Sequence, residues 1–176
     1  MDAAPTDRAP TDDALTRFNT APAGRAAELA HSCLAVPAFA MVLAAGRPYP
    51  SADAVVEKAE QLARALSWRQ VTTALAAHPR IGDRVEGSSA EAEASRREQS
   101  AMGTADDALR SAVLEGNRAY EERFDHVFLI RAAGRSAEEM LAELQRRLGN
   151  SPEAERAEVT EQLAQITALR VRALVS

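Results

Sequence analysis

The chain has 176 residues, of which 46% are hydrophobic and 27% charged, and its formal net charge is −5. This length fits one domain, and the composition is that of a globular protein rather than a disordered one. Acidic and basic residues are mixed along the chain without a basic stripe beside aromatic residues, which argues against a nucleic-acid partner.

A single cysteine, Cys33, rules out an intrachain disulfide and a zinc site built from paired cysteines. We expect it to be a small buried hydrophobic residue. The longest apolar run, residues 34–46, contains a proline and is shorter than the roughly 20 residues that a membrane span needs. Residues 1–13 lack the hydrophobic stretch of a secretory signal. We therefore expect a cytoplasmic protein with no membrane partner.

The predicted architecture is all-α. Aromatic residues make up only 4% of the chain, so the core must consist of alanine and aliphatic side chains, which favours close-packed helices over a β sandwich. Residues 1–11 are predicted to be a disordered tail, and residues 12–176 a single helical domain of about eight or nine helices. The first helix is predicted to begin at Asp12-Asp13, and the next ones to cover 26–35, 38–45, 52–66, 67–78 and 90–101. A long helix capped by Thr104 is predicted from Asp106 to about Phe124. The last two are predicted at 136–149 and from 151 onward.

One run, Val127, Phe128, Leu129 and Ile130, is predicted to be extended. Four residues alone cannot form a sheet, so we interpret the run as a buried linker whose peptide groups need partners.

His78 opens the motif His-Pro-Arg-Ile-Gly at 78–82. Pro79 disfavours the α conformation at the preceding residue, so His78 should lie where a helix ends, with its imidazole available to a cleft. The dipole at a helix C-terminus would favour the charged form, which suits a proton donor or an anion binder.

A second polar set follows downstream. Ser95, Glu98 and Gln99 are spaced i, i+3 and i+4, so on a helix they present a hydroxyl, a carboxylate and an amide on one face. Such a face could contact a substrate, although solvated helices also carry polar stripes.

Arg170 provides independent evidence for a site. Helical spacing places it among Val159, Leu163, Ile166 and Leu174, whereas Arg172 falls on the opposite face. An arginine on an apolar stripe is costly without an acceptor for its guanidinium. It is either one half of a structural ion pair or a pocket arginine that binds a substrate.

These motifs resemble the family of 2-oxo-4-hydroxy-4-carboxy-5-ureidoimidazoline (OHCU) decarboxylases of urate breakdown. The resemblance rests on the motif at 78–82 and on Ser95-Arg96-Arg97-Glu98-Gln99, with weaker similarity along most of the chain. It implies decarboxylation of OHCU to (S)-allantoin by a homodimer that needs no cofactor. His78 and Glu98 would be catalytic, and the substrate-binding residues would be Pro79, Ser95, Gln99, Val127, Phe128, Leu129, Ile130 and Arg170.

The other polar candidates are weaker. His31 is expected at a surface or boundary, while His126 could approach the pocket, and Trp68 is expected to be a core anchor. The three histidines have no metal-ligand spacing, and no nucleotide-binding glycine motif is present. Two other classes remain open: a non-catalytic helical binding module and a hydrolase of a related ureide ring. Convergence of His78, Glu98 and Arg170 in space would argue against the binding module.

Overall fold

The computed structural model describes residues 14–82 and 90–176, with the side chains of 90–92 excepted. Within these ranges the chain is helical and has no strand, which confirms the predicted all-α class. The helices are α1 (Ala14–Thr20), α2 (Ala23–Cys33), α3 (Pro37–Ala45), α4 (Ala52–Arg64), α5 (Trp68–Leu75), α6 (Ala90–Glu98), a 3-10 helix (Ser100–Thr104), α7 (Asp107–Phe124), α8 (Ala137–Arg147) and α9 (Pro152–Val175). The predicted tail at 1–11 and the predicted helix start at Asp12-Asp13 lie outside the described residues.

Side-chain caps explain why several helices begin where they do. Ser67 and Ser136 each form a capping box with the residue three positions later, and Ser151 caps α9 with a proline in its first turn. The predicted Thr104 cap of α7 is wrong. Asp106 accepts from the Leu109 amide at 2.8 Å, whereas the Thr104 hydroxyl donates to the Ala101 carbonyl within the 3-10 helix.

Five helices, α2, α4, α5, α6 and α8, end two or three residues earlier than predicted, and the ends of α5 and α6 belong to the site. Helix α5 stops at Leu75, and the chain tightens into i→i+3 bonds that bring the His78 amide to the Leu75 carbonyl at 2.9 Å. Pro79 prevents the helix from continuing at this point. Helix α6 stops at Glu98 and passes into the 3-10 helix instead of reaching residue 101.

The core consists of two apolar clusters. The larger one packs α4 against the long α9 and includes Phe18, Leu43, Val55 and Leu163. The smaller one joins α7 and α8 and includes Val113, Tyr120, Met140 and Leu144. Cys33 is buried in the larger cluster, as predicted, and Trp68 packs against its edge. No helix in the described ranges is long and apolar enough to cross a membrane.

The segment at 127–130 lies between these clusters. The structure assigns it to no helix or strand, and its side chains alternate: Leu129 belongs to the larger cluster, whereas Phe128 and Ile130 belong to the smaller one. Such alternation is the pattern of an extended chain. The Leu129 carbonyl accepts from Arg147 Nη1 at 2.7 Å, and the Arg131 amide donates to Gln162 Oε1 at 2.9 Å. Two peptide groups in and next to this segment therefore find side-chain partners.

Candidate active site

His78 lies directly after the last turn of α5, and its ring is anchored on one side. Its Nδ1 is 2.9 Å from the Ala74 carbonyl oxygen. Because a carbonyl oxygen can only accept, Nδ1 must carry a proton. The other nitrogen, Nε2, is buried and has no hydrogen-bond partner among the described residues. The imidazole therefore offers one oriented nitrogen to its surroundings.

The electrostatic environment of His78 favours its neutral form. Burial lowers the pKa of the imidazole below 6.5, and the nearby Arg170 guanidinium lowers it further, against smaller opposing effects of the Ala74 carbonyl and Glu98. The expectation of a charged histidine at a helix C-terminus is therefore wrong, because burial and Arg170 outweigh the groups that favour the charged form. In the neutral form Nε2 is an acceptor, which suits a base rather than an anion binder.

Arg170 and Glu98 form a bidentate ion pair between α9 and α6. The distances are 2.8 Å from Nε to Oε1 and 2.9 Å from Nη2 to Oε2. Nη2 also donates to the Ser95 hydroxyl at 3.2 Å. The two side chains are only 8% and 18% exposed, so the pair is largely desolvated. The ion-pair alternative for Arg170 is therefore observed, and the acid of that pair is itself a predicted site residue, whereas substrate binding by Arg170 stays a prediction.

Polar side chains also hold the loop that follows His78. Gln99 Oε1 accepts from the Gly82 amide at 3.2 Å, and the buried Asn117 donates to the Ile81 carbonyl at 2.8 Å. Gly82 has φ of +87°, a left-handed conformation that glycine adopts without strain. The motif at 78–82 is therefore tied to both α7 and the end of α6. Asn117 was not predicted, although its spacing from Val113 and Tyr120 places it on an apolar face.

Most of the predicted site residues line one small, partly enclosed cavity of about 20 Å³. That volume holds little more than a water-sized molecule. An adjoining open cleft of about 410 Å³ is lined by residues of α2, α6 and α9 and shares Glu98 with the cavity. Arg170 lines the cleft as well, so the ion pair forms the wall between the two spaces. The cavity is lined by His78, Pro79, Ile81, Ser95, Glu98, Gln99, Phe128, Leu129, Ile130, Ala132 and Ile166.

Two candidates lie away from this cavity. Val127 does not line it and packs partly buried against the larger core cluster. His126 packs edge-on against Trp68 and Tyr120, at centroid distances of 5.2 and 5.4 Å, and does not line it either. The apolar lining residues Ile81, Ala132 and Ile166 were not predicted, although Ile81 belongs to the motif at 78–82 and Ile166 lies beside Arg170 on the stripe of α9.

Among the residues with described side chains, no three His, Cys, Asp or Glu residues are grouped so that they could hold a metal ion.

A family model for OHCU decarboxylase matches residues 19–172, which is most of the chain. The chain belongs to the OHCU decarboxylase family.

Solved structures support this membership. A crystal structure of OHCU decarboxylase in the presence of (S)-allantoin is 25% identical in sequence with a TM-score of 0.70, over 82% of this chain and 95% of that one. A crystal structure of (S)-allantoin synthase has a TM-score of 0.68 at 17% identity and shows the shared fold. The alignment covers 92% of this chain but only 54% of that longer one. A search of curated proteins found no match. As a member of the OHCU decarboxylase family, the protein is a carboxy-lyase.

The lowered pKa of His78 predicts a pH-dependent stability. A neutral His78 is favoured in the folded state, so its contribution is present above pH 6.5 and is lost as the pH falls through the folded pKa. We expect the unfolding free energy of wild type to fall more between about pH 7.5 and 5 than that of His78→Asn, measured by urea denaturation. His31→Asn, on α2 outside the cavity, is the control and should behave as wild type. Equal acid sensitivity of wild type and His78→Asn would contradict the assignment.

The two arginines near the end of α9 provide a matched pair. Arg170→Met should lower the melting temperature and the activity, because it leaves the Glu98 carboxylate largely buried without its cation. Arg172, 44% exposed and paired with Asp53 at 2.6 Å, forms a surface pair worth roughly 0–1 kcal/mol. Arg172→Met should therefore change little. Calorimetry and steady-state kinetics on both variants check this, and equal losses from the two substitutions would show that the pair with Glu98 has no special weight.

Proposed function

We propose that this protein decarboxylates OHCU to (S)-allantoin in urate degradation, with His78 and Glu98 as its catalytic groups and without a cofactor. One observation carries the proposal. A neutral His78, whose Nε2 has no hydrogen-bond partner among the described residues, lines the same cavity as Glu98, with Arg170 near both. A neutral base, a carboxylate and a guanidinium converge there, as a reaction on a small anionic substrate needs.

The substrate explains why these groups are sufficient. When the C–C bond to the carboxylate breaks and CO₂ leaves, its electron pair forms a C=C bond in the ring. The π pair of the adjoining C=N bond moves onto its nitrogen, which takes up one proton from solvent. The ring then holds an enol-type intermediate, which becomes allantoin when the hydroxyl loses its proton and a ring carbon gains one. The protein must orient the carboxylate and place these two proton transfers.

His78 is suited to the proton transfers. Its Nδ1 is fixed on the Ala74 carbonyl, so the ring cannot turn away and Nε2 remains the reacting nitrogen. A neutral Nε2 can accept the hydroxyl proton and return a proton to carbon on the same face of the ring. In this assignment Glu98 accepts a hydrogen bond from the hydroxyl and polarises it.

Arg170 is suited to the substrate's negative charge. It already holds a carboxylate, that of Glu98, in bidentate geometry, and a substrate carboxylate or carbonyl group can compete for the same donors. Since the cavity is smaller than the substrate, binding has to rearrange this wall. Ser95 and Gln99 add polar groups to the pocket lining, and Pro79 and the segment from Phe128 to Ile130 line it as well.

The proposals on oligomeric state, cellular location and Val127 rest on the family resemblance and the sequence. We propose a homodimer because the family resemblance implies one, and a cytoplasmic location as the sequence analysis expects. Val127 remains a proposed substrate-binding residue on the same resemblance.

The proposed reaction predicts two simultaneous signals. With freshly generated OHCU, the protein should release CO₂ and produce the optical activity of (S)-allantoin in equal amounts and faster than the spontaneous reaction. His78→Asn should slow both by about a hundredfold, the scale of a lost acid–base group, which also excludes a contaminating enzyme. Ring opening without CO₂ would instead identify a ureide hydrolase, and no acceleration at all would leave a binding module.

The charge of Glu98 can be tested apart from its shape. Glu98→Gln is nearly isosteric but neutral, so it keeps an oxygen for Arg170 and loses the ion pair. We expect kcat to fall by about a hundredfold, measured by the same CO₂ assay. Glu93→Gln, an exposed position on the same helix, is the control and should keep full activity. A fully active Glu98→Gln beside an inactive Glu98→Ala would reduce Glu98 to a hydrogen-bonding anchor.

A further inference from the structure

A second buried arginine lies behind the pocket, at the end of α8. Arg147 is fully buried, and its Nε and Nη2 contact Glu155 Oε1 at 2.9 and 2.5 Å. Glu155 is also fully buried, and Asn150 donates to its second oxygen at 2.8 Å. The Tyr120 hydroxyl donates to Glu155 as well, and burial together with this hydrogen bond raises the pKa of the phenol, so that it remains a donor. We call Tyr120, Arg147, Asn150 and Glu155 the α8–α9 network.

This network makes two contacts that lead to the pocket. The third nitrogen of Arg147, Nη1, donates to the Leu129 carbonyl at 2.7 Å. Its guanidinium also lies 4.6 Å from the centroid of the Phe128 ring, in a cation–π contact. Both Phe128 and Leu129 line the cavity. Arg147 itself does not line it, so any effect on the reaction passes through this segment.

The bond to Leu129 determines how the segment faces the cavity. In an extended chain, the backbone polar groups of neighbouring residues point to opposite sides. Because the Leu129 carbonyl points toward Arg147, the backbone polar groups of Phe128 and Ile130 point away from Arg147. Slippage by one residue would reverse this arrangement and exchange the side chains of the two core clusters.

We propose that Arg147 is a positioning residue, which selects the backbone groups of Phe128 and Ile130 that face the substrate. Only the expected effect of Arg147 on the kinetics rests on the proposed function. A purely structural ion pair would be a weak explanation, because a well-packed apolar replacement of a buried pair is often neutral or stabilising. In addition, all three guanidinium nitrogens of Arg147 donate hydrogen bonds in one arrangement. A shorter side chain, or one that ends in a single ammonium group, cannot reproduce it.

The test replaces the pair together, so that no lone buried charge is left. The double variant Arg147→Met with Glu155→Leu should fold and should lose at least about tenfold in kcat/KM with a raised KM, because the segment no longer has a fixed register. Arg147→Lys, which keeps the charge, is a second variant in case the double variant does not fold. Arg146→Met is the matched control, since Arg146 precedes Arg147 on α8 but pairs with Glu143 and Glu158 at the surface.

Amide hydrogen exchange provides a readout that does not depend on activity. In the double variant or in Arg147→Lys, amides of residues 127–132 should exchange faster while those of α4 are unchanged, and Arg146→Met should show neither effect. A folded variant with wild-type exchange at 127–132, or with kcat/KM within about twofold of Arg146→Met, overturns the positioning role. An inactive wild type would refute the proposed function, and the exchange data would still decide the role of Arg147.

Discussion

The ion pair between Arg170 and Glu98 is the interaction on which the geometry of the site depends. Helix α6 has little apolar surface, and among its described side chains only Ser95 is buried. Hydrophobic packing therefore cannot fix its position. Arg170 bonds to both Glu98 and Ser95, and Gln99 at the end of the helix bonds to Gly82. The helix that carries the polar site residues is thus positioned largely by the contacts of those same residues.

This dependence couples the chemistry of His78 to the ion pair. Arg170 lowers the pKa of the imidazole and Glu98 raises it, so the balance between them changes if the pair separates. With the pair closed, burial dominates and His78 is neutral. A substrate that draws Arg170 away from Glu98 would leave the carboxylate freer to favour a protonated His78. The acid and base forms of one histidine could then both be used within one reaction.

The predictability of each feature follows from the range of the interactions that create it. Helix starts at Ser67, Ser136 and Ser151 were predictable, because a cap is decided by residues three positions apart. The ends of α5 and α6 were misplaced by a few residues, since tertiary contacts decide whether a last turn tightens. The direction of the His78 pKa was wrong for the same reason: the helix dipole can be inferred from the sequence, whereas desolvation by distant elements cannot.

The two buried arginines show what one sequence signal can and cannot distinguish. Arg170 was found by its place on an apolar stripe, and Arg147 follows Met140 and Leu144 at the same helical spacing without having been recognised. Periodicity identifies such an arginine as one that needs acceptors, but the acceptors decide its role. Arg147 has all three nitrogens bonded inside the core, where exchange of a partner would leave a buried charge unpaired. Arg170 lines the open cleft, and its partner Glu98 lines both the cleft and the cavity, so an anion that enters from solvent can reach the pair. A buried arginine whose nitrogens are all bonded therefore suits a structural role, whereas an arginine beside an opening suits a ligand-binding role.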